Sequence, residues 1–260
     1  MIDIHTHLLH AFDDGSPSAE HSWQVLTRMV NEGVRVVVCT PHLKASSAAQ
    51  APLEVRADRL DALRAGAPAD LEILPGWEIM LDVAGADLTP DWLGLGGSAA
   101  RLVEFPRTGV PGGAAQELLR LARAGLVPVV AHPERYRNCT LDEVAYWKEL
   151  GAVVQVDAIA LLAGGPHGEL ALELLGSGLV DIVASDNHGD RRSLGAARVW
   201  LEETGAAEQA VLLTEENPRR LLAGERLLAV APLRRERPLW QRLLDALVAG
   251  RTRGRQRGGS

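Results

Sequence analysis

The alternation of apolar and polar positions begins at the first residues. In Met1-Ile2-Asp3-Ile4-His5-Thr6-His7, the isoleucines alternate with Asp3 and His5 at the two-residue period of a strand, whose like-numbered side chains share a face. If that strand runs on to His7, the two imidazoles project together and can grip one ion. Val34–Cys39, β-branched and apolar apart from Arg35, has the pattern of a strand buried on both faces. Shorter runs predict strands at Leu71–Leu74, Arg101–Phe105, Val127–Ala131, Ala152–Val156 and Val180–Ala184. Helical spacing separates them. It predicts a helix capped by Ser16 or Ser18 and ending near Glu32 before Gly33, then helices near Leu53–Arg64, Ala114–Ala124, Leu141–Leu150, Gly168–Leu175, Leu194–Glu203 and Glu208–Leu213, with a short last helix opened by Asn217-Pro218. Asp82–Ser98, rich in Gly, Pro and Asp, reads as loop.

Strand–helix alternation of this kind, about seven times over, predicts parallel strands with helical crossovers. The expected architecture is an α/β fold in the form of a TIM-like barrel, with a doubly wound open sheet as the alternative. The polar residues that break the pattern sit where strands end, which is the active-site face of a β/α barrel. They are His5 and His7, Asp14 in the following loop, His42, Glu78, Glu104, His132, and Asp186 with His188. Asp186-Asn187-His188 repeats the two-apart spacing of His5-Thr6-His7. Alone, a strand-end carboxylate reads as a helix cap, and His42 or His132 beside proline as a turn residue. Six strand ends carrying ligand-type side chains point instead to a metal centre. Five imidazoles and four carboxylates without a thiolate suit Mn, Fe or Zn, and nine ligands are enough for two or three ions, with Glu78 the candidate bridge. His10, His21 and His167 lie outside this pattern and read as surface or loop histidines.

Composition narrows the picture only a little. A net charge of −7 argues against a nucleic-acid partner. The two cysteines make no disulfide framework, no apolar run is long enough for a membrane span, and the chain enters a strand at once with no signal peptide evident, so a cytoplasmic location is expected. The charge is unevenly spread: eight arginines between Arg234 and Arg257 place about +6 in the tail against about −13 elsewhere. Residues 1–233 are therefore expected to form the catalytic barrel. Residues 234–260 are expected to form an amphipathic helix over Pro238–Val248, docked on the barrel, and an Arg/Gly-rich tail. The cysteines also exclude one chemistry. A Cys-dependent tyrosine phosphatase needs an Arg six positions after its nucleophile, and here those positions hold Ala45 and Ala145.

The segments Met1–His7, Asp13-Asp14-Gly15, Thr40-Pro41-His42, Glu104-Phe105-Pro106, Ala131-His132-Pro133-Glu134-Arg135-Tyr136, Ala184-Ser185-Asp186-Asn187-His188 and Glu216-Asn217-Pro218-Arg219 together resemble the polymerase-and-histidinol-phosphatase (PHP) phosphoesterases over residues 1 to about 222. The chain looks most like the bacterial manganese-dependent tyrosine phosphatases that act beside capsule and exopolysaccharide tyrosine kinases. The resemblance implies a distorted (β/α)7 barrel holding three metals. One would take His5, His7, Glu78 and Asp186, a second Glu78, Glu104 and His132, and a third Asp14, His42 and His188. It implies Mn2+ as the metal and a phosphotyrosine-bearing bacterial tyrosine kinase as the partner. The reaction would be phosphotyrosine hydrolysis by metal-activated hydroxide attack on phosphorus, with Arg135 on the phosphate and Arg191 or Arg192, the latter preferred, as a second phosphate-binding arginine. Two features depart from the family pattern: Asp190-Arg191-Arg192 lies close to His188, and Lys44-Ala45-Ser46-Ser47, at the expected substrate mouth, lacks the family's Gly and aromatics.

The alternatives are a histidinol-phosphate phosphatase or other small-molecule phosphomonoesterase, a hydrolase or nuclease of the amidohydrolase type, a DNA-polymerase-associated proofreading activity, and an inactive kinase-binding scaffold. The pair Asp186 and His188 argues against the amidohydrolases. The chain carries no polymerase and shows no basic groove, and the scaffold predicts missing ligands.

Overall fold

The structure is a computed structural model that describes residues 1–106 and 108–233. The helix expected over Pro238–Val248 and the tail beyond it lie outside the described residues.

The chain runs β1 (Ile2–Thr6), α1 (Ala19–Asn31), β2 (Val36–Cys39), β3 (His42–Lys44), α2 (Leu53–Ala65), β4 (Glu72–Pro75), β5 (Glu78–Met80) and β6 (Ala100–Glu104). It continues through α3 (Ala114–Arg123), β7 (Val127–Ala131), α4 (Leu141–Glu149), β8 (Val153–Asp157), α5 (Ala158–Ala163), α6 (Gly165–Gly176) and β9 (Ile182–Ala184) to α7 (Leu194–Glu203), α8 (Ala207–Val211) and α9 (Asn217–Leu222). Every strand pairing is parallel, in the orders β1-β2-β4 and β3-β5-β6-β7-β8-β9. The backbone joins the two sheets at both ends. The chain passes directly from β2 to β3 and from β4 to β5. Across the other seam, Thr6 bridges Asn187, with Asp186 N–H donating to His5 O at 3.0 Å and His7 N–H to Asn187 O at 2.7 Å. Together this is a distorted α/β barrel of the TIM-like kind, seven strand positions around, two of which are broken in the middle.

The breaks are local chemistry. Pro41 has no N–H to give a ladder and interrupts the second position between Cys39 and His42. At Gly76-Trp77 the fourth strand gives way before Glu78. Gly76 fits tightly there, since a Cβ would lie 2.9 Å from both Leu95 and Val38. Arg56 packs its guanidinium 4.6 Å over the Trp77 ring and donates to Gly76 O and Trp92 O. The apolar residues Ile4, Val38, Leu102, Val129 and Ile182 fill the space between the strands, closed by Leu95 and by Leu221 of α9. The outer helices cover the strands through a second layer, with α1 laying Val25, Leu26 and Met29 against Val37 and Leu63.

Of the two serines expected at the start of α1, Ser18 is the cap, accepting from His21 N–H. Element positions differ from expectation further along. The expected loop over Asp82–Ser98 contains two short 3-10 turns, Asp91–Leu93 and Leu95–Gly97. The helix expected at Gly168–Leu175 starts at Gly165 and follows a separate helix, α5. That apolar run, Ala-Ile-Ala-Leu-Leu-Ala, starts after Asp157, whose side chain makes no capping hydrogen bond, and Gly164 at φ 68° divides it from α6.

Two positions test this packing. Arg101 is fully buried and serves the carbonyls of Leu88, Ser98, Thr89 and Pro90, so it organises the loop before β6. Arg101→Ala should lower the free energy of unfolding by at least about 3 kcal/mol, read from the urea midpoint, because several buried carbonyls lose a charged donor at once. Gly15 lies so close to β1 that a Cβ would sit 2.1 Å from His7 O and 2.6 Å from His7 Cβ. Gly15→Ala should cost about 1–3 kcal/mol by the same measurement, through displacement of the loop.

Candidate metal centre

All nine sequence-predicted candidates meet at one end of the barrel, most at or just past strand C-termini, His42 and Glu78 as the first residues of β3 and β5 and Asp14 in the loop after β1. His5 and His7 bring their Nε2 atoms to 3.3 Å from each other. Glu78 Oε2 lies 3.3 Å from His5 Nε2 and 3.2 Å from His7 Nε2, and Asp186 Oδ1 lies 3.2 and 3.3 Å from the same two atoms. The far side of each ring decides what these nitrogens are. His5 Nδ1 meets Gln155 Oε1 at 2.9 Å, and the Gln155 amide is oriented by donating from Nε2 to Asp157 Oδ1. His7 Nδ1 meets Asp13 Oδ2 at 2.7 Å. Both Nδ1 atoms therefore carry the proton in the neutral ring, and both Nε2 lone pairs face the carboxylates. Four acceptors crowded within hydrogen-bonding distance repel one another unless a cation or protons lie among them.

The titration behaviour says the same. Burial disfavours the charged form of His5, but Glu78 and Asp186 outweigh it and push its pKa up to about 9. His7 is raised well above its ordinary value against its burial by Asp13, Asp186 and Glu78. Burial favours a neutral Glu78, yet His5, His132 and His42 hold its carboxyl well below the usual range. Asp186 is held down by His5, His7 and Arg135, again against burial. The pocket is thus a buried sink for positive charge.

Two further groups adjoin it. His42 Nδ1 lies 3.0 Å from Glu78 Oε2 and 3.6 Å from Glu104 Oε1. His42 Nε2 and His188 Nε2 lie 3.3 and 3.4 Å from Asp14 Oδ1. His188 stacks on His7 at 4.0 Å and gives its Nδ1 proton to Asp186 O, which leaves Nε2 bare. The donor atoms fall into three sets compatible with an ion: His5, His7, Glu78 and Asp186; His42, Glu78 and Glu104; and His7, Asp14, His42 and His188. This grouping departs from the implied one at two points. His42 stands with Glu78 and Glu104, and His132 adjoins that set with its Nε2 2.7 Å from Glu78 Oε1. His7 also joins the third set. The residues fit metal ions: Glu78 Oε2, His42 Nδ1 and His132 Nδ1 are buried polar atoms without a hydrogen-bond partner, and the donors are the oxygen and imidazole set such ions take.

Backbone strain marks the strand ends. His132, after β7, and Asp186, after β9, adopt φ of 35° and 49°, a left-handed region unfavourable for residues with a Cβ. Each turns the chain so that the next residues re-enter the site.

Beside the cluster, Arg135 and Arg192 converge on one atom. Asp186 Oδ2 lies 2.5 Å from Arg135 Nη2 and 2.6 Å from Arg192 Nη1. Arg135 also pairs with Asp157, and Arg192 with Asp190. Arg191 is exposed and away from the cavity lining. Asn187 ties the loop together, donating to the carbonyls of Asp190 and Arg192 and accepting from Gly189 N–H. The cavity over the cluster measures about 510 Å³.

Several contributors escaped the sequence reading. Asp157 ends β8 and obeys the same strand-end rule, but the sequence reading passed over it. Asp13, adjacent to the chosen Asp14, orients His7 and accepts from His42 N–H. Gln155 carries no ligand signature. His167, read as a surface or loop histidine, is exposed as expected and in addition lines the cavity, its Nδ1–H donating to Glu134 O at 2.7 Å.

Known proteins match this chain closely enough to place it. The family model described as capsular polysaccharide synthesis, CpsB/CapC, matches residues 1–223. The tyrosine-protein phosphatase YwqE of Bacillus subtilis is 32% identical over 230 residues, 83% of this chain and 89% of that protein. The tyrosine-protein phosphatase CpsB of Streptococcus pneumoniae is 29% identical over 85% of this chain and 98% of its own length. A crystal structure from a study of YwqE and CpsB as metal-dependent tyrosine phosphatases superposes with a TM-score of 0.75 at 29% identity, covering 90% of this chain and 100% of that one. Likeness to a β-aspartyl dipeptidase from Fervidobacterium islandicum, with a TM-score of 0.53 at 14% identity over 91% of this chain and 77% of that one, speaks for the fold alone. Matched along nearly all of its barrel, from the first strand to the last short helix, this chain belongs to the CpsB/CapC family of capsular polysaccharide synthesis proteins.

Proposed function

We propose that this protein is a metal-dependent protein tyrosine phosphatase that hydrolyses phosphotyrosine on a bacterial tyrosine kinase of capsule or exopolysaccharide synthesis. The observation that carries this reading is the convergence of Arg135 and Arg192 on the rim of a buried imidazole–carboxylate cluster. Guanidinium forks match phosphate oxygens, and the cluster suits two or three ions, with Mn2+ preferred and Fe or Zn as substitutes. His5, His7, Glu78 and Asp186 would hold one ion, and His42, Glu104, His132, Asp14 and His188 the others. When bound, such ions lower the pKa of water from 15.7 to about 7 and draw charge from the phosphoryl group.

The chain's own residues supply the rest. Arg135 and Arg192 bind the phosphate oxygens and neutralise the charge that spreads over them as the ester bond breaks. Asp157 holds Arg135, and Asp190 holds Arg192, so both side chains are already ordered before binding. A tyrosyl phenolate, with a parent pKa near 10, departs with less proton help than an alkoxide. Neither thiol competes as nucleophile: burial pushes both Cys39 and Cys139 up to about 12. Among the described residues no helix is long and apolar enough to cross a membrane, so a membrane-bound kinase would be met through an exposed segment.

Metal content and turnover of a phosphotyrosyl peptide and of histidinol phosphate should be measured on one preparation, with Mn and after chelation. Two or three ions and chelator-sensitive turnover favouring the peptide are expected; faster histidinol phosphate turnover would overturn the substrate assignment. Replacing both His5 and His188 by Ala should abolish peptide turnover and reduce bound metal, and activity surviving in that variant would remove the ligand assignment. Arg135→Ala should lower kcat/KM by about 10²-fold or more with metal content unchanged.

A further inference from the structure

The cavity has two walls of different chemistry. One carries the ligand cluster with Arg135 and Arg192, and the other is built by α5 and the start of α6, through Ile159, Ala160, Ala163, Gly164 and His167. Ile159 is a large aliphatic side chain left 38% exposed, while its neighbours Ala158, Ala160 and Leu161 are buried and fix the helix to the core. α5 begins directly after Asp157, the carboxylate that pairs with Arg135. His167 binds the carbonyl of Glu134, the residue before Arg135. The apolar wall is therefore tied at two points to the arginine that faces the phosphate.

The geometry points to this wall as the seat of the aromatic ring of the phosphate ester, with Ile159 the residue that selects aryl over alkyl phosphates. This rests on the phosphomonoesterase reading above. A phosphate held by Arg135 and Arg192 leaves the organic part of the ester inside the same cavity. An aromatic side chain buries about 150–250 Å², so an apolar face stabilises it. The volume, about 510 Å³, is that of a small-molecule site. It takes a ring and its phosphate, while a peptide backbone runs on over the exposed residues from Leu162 to Pro166. An ammonium-bearing leaving group finds no such welcome. The α5 and α6 residues of the wall bear no carboxylate; of the carboxylates that line the cavity, Asp157 and Asp186 are paired with Arg135, and Glu78 and Glu104 belong to the ligand cluster on the other wall.

The test compares the metal-loaded full chain with Ile159→Ala and Ile159→Leu, on phenyl phosphate against glycerol 2-phosphate. Inhibition by phenylphosphonate against inorganic phosphate adds a readout free of leaving-group chemistry. Ile159→Ala should lower kcat/KM for phenyl phosphate about tenfold through KM, and weaken phenylphosphonate in proportion, with the alkyl ester and phosphate changed less than about twofold. Ile159→Leu should restore the aryl preference. Equal losses on both esters, or an unchanged ratio with wild-type turnover intact, would overturn the wall assignment alone. No turnover of either ester by the wild type with any metal would overturn the phosphatase reading and this inference with it.

Discussion

The structure depends on keeping charged carboxylates where water cannot reach them. Glu78 and Asp186 are each 1% exposed, and His5 and His7 are fully buried beside them. Burying an isolated carboxylate is prohibitive, so such a group must be paired or must hold a cation. Here every element converges on that requirement. β1 supplies two imidazoles, the start of β5 supplies Glu78, and the turn after β9 supplies Asp186 in a strained conformation. Gln155 and Asp13 fix the tautomers from outside. The barrel is the scaffold that makes the cluster affordable.

The broken strands follow from the same constraint. An unbroken strand places successive side chains on opposite faces, which would space the ligands too regularly to crowd round a few shared atoms. Interrupting the second position at Thr40-Pro41 and another at Gly76-Trp77 resets the register. His42 and Glu78 then pair with each other across β3 and β5 as the first residues of new strands. Arg56 on Trp77 and the tight fit at Gly76 hold one of those breaks in place.

What was legible in the sequence was what is local. Strand ends carry their own signal, because an apolar run stops at a polar residue, and so His5, His42, Glu104, His132 and Asp186 could be picked out one at a time. The parallel barrel followed from the spacing of those runs. Which ligand stands with which was not legible. His42 reaches both Glu78 and Asp14 through its two nitrogens, and that depends on how β3 leans over β5. Asp157 stands at a strand end like the others, but its pairing with Arg135 depends on how the turn after β7 folds back over β8. His167 lies on a helix far from any strand end, and only the fold of α6 against the turn at Glu134 brings it to the cavity.

Asp186 joins the two halves of the site. Its Oδ1 faces His5 and His7, and its Oδ2 accepts from Arg135 and Arg192. One carboxylate thus takes part in both the cation cluster and the anion-binding pair, with its own pKa held down by both. The two arginines would otherwise be drawn fully into the acidic cluster, where they would compete with metal. Asp157 and Asp190 draw them outward toward the rim, so each guanidinium is shared between an inner and an outer carboxylate. A shared guanidinium is oriented yet keeps donors to spare, since it carries five N–H groups in a fixed fork. That balance explains why the arginines sit between clusters of acids without being consumed by them, and in the proposed reaction it would give an arriving phosphate dianion donors already arranged for it.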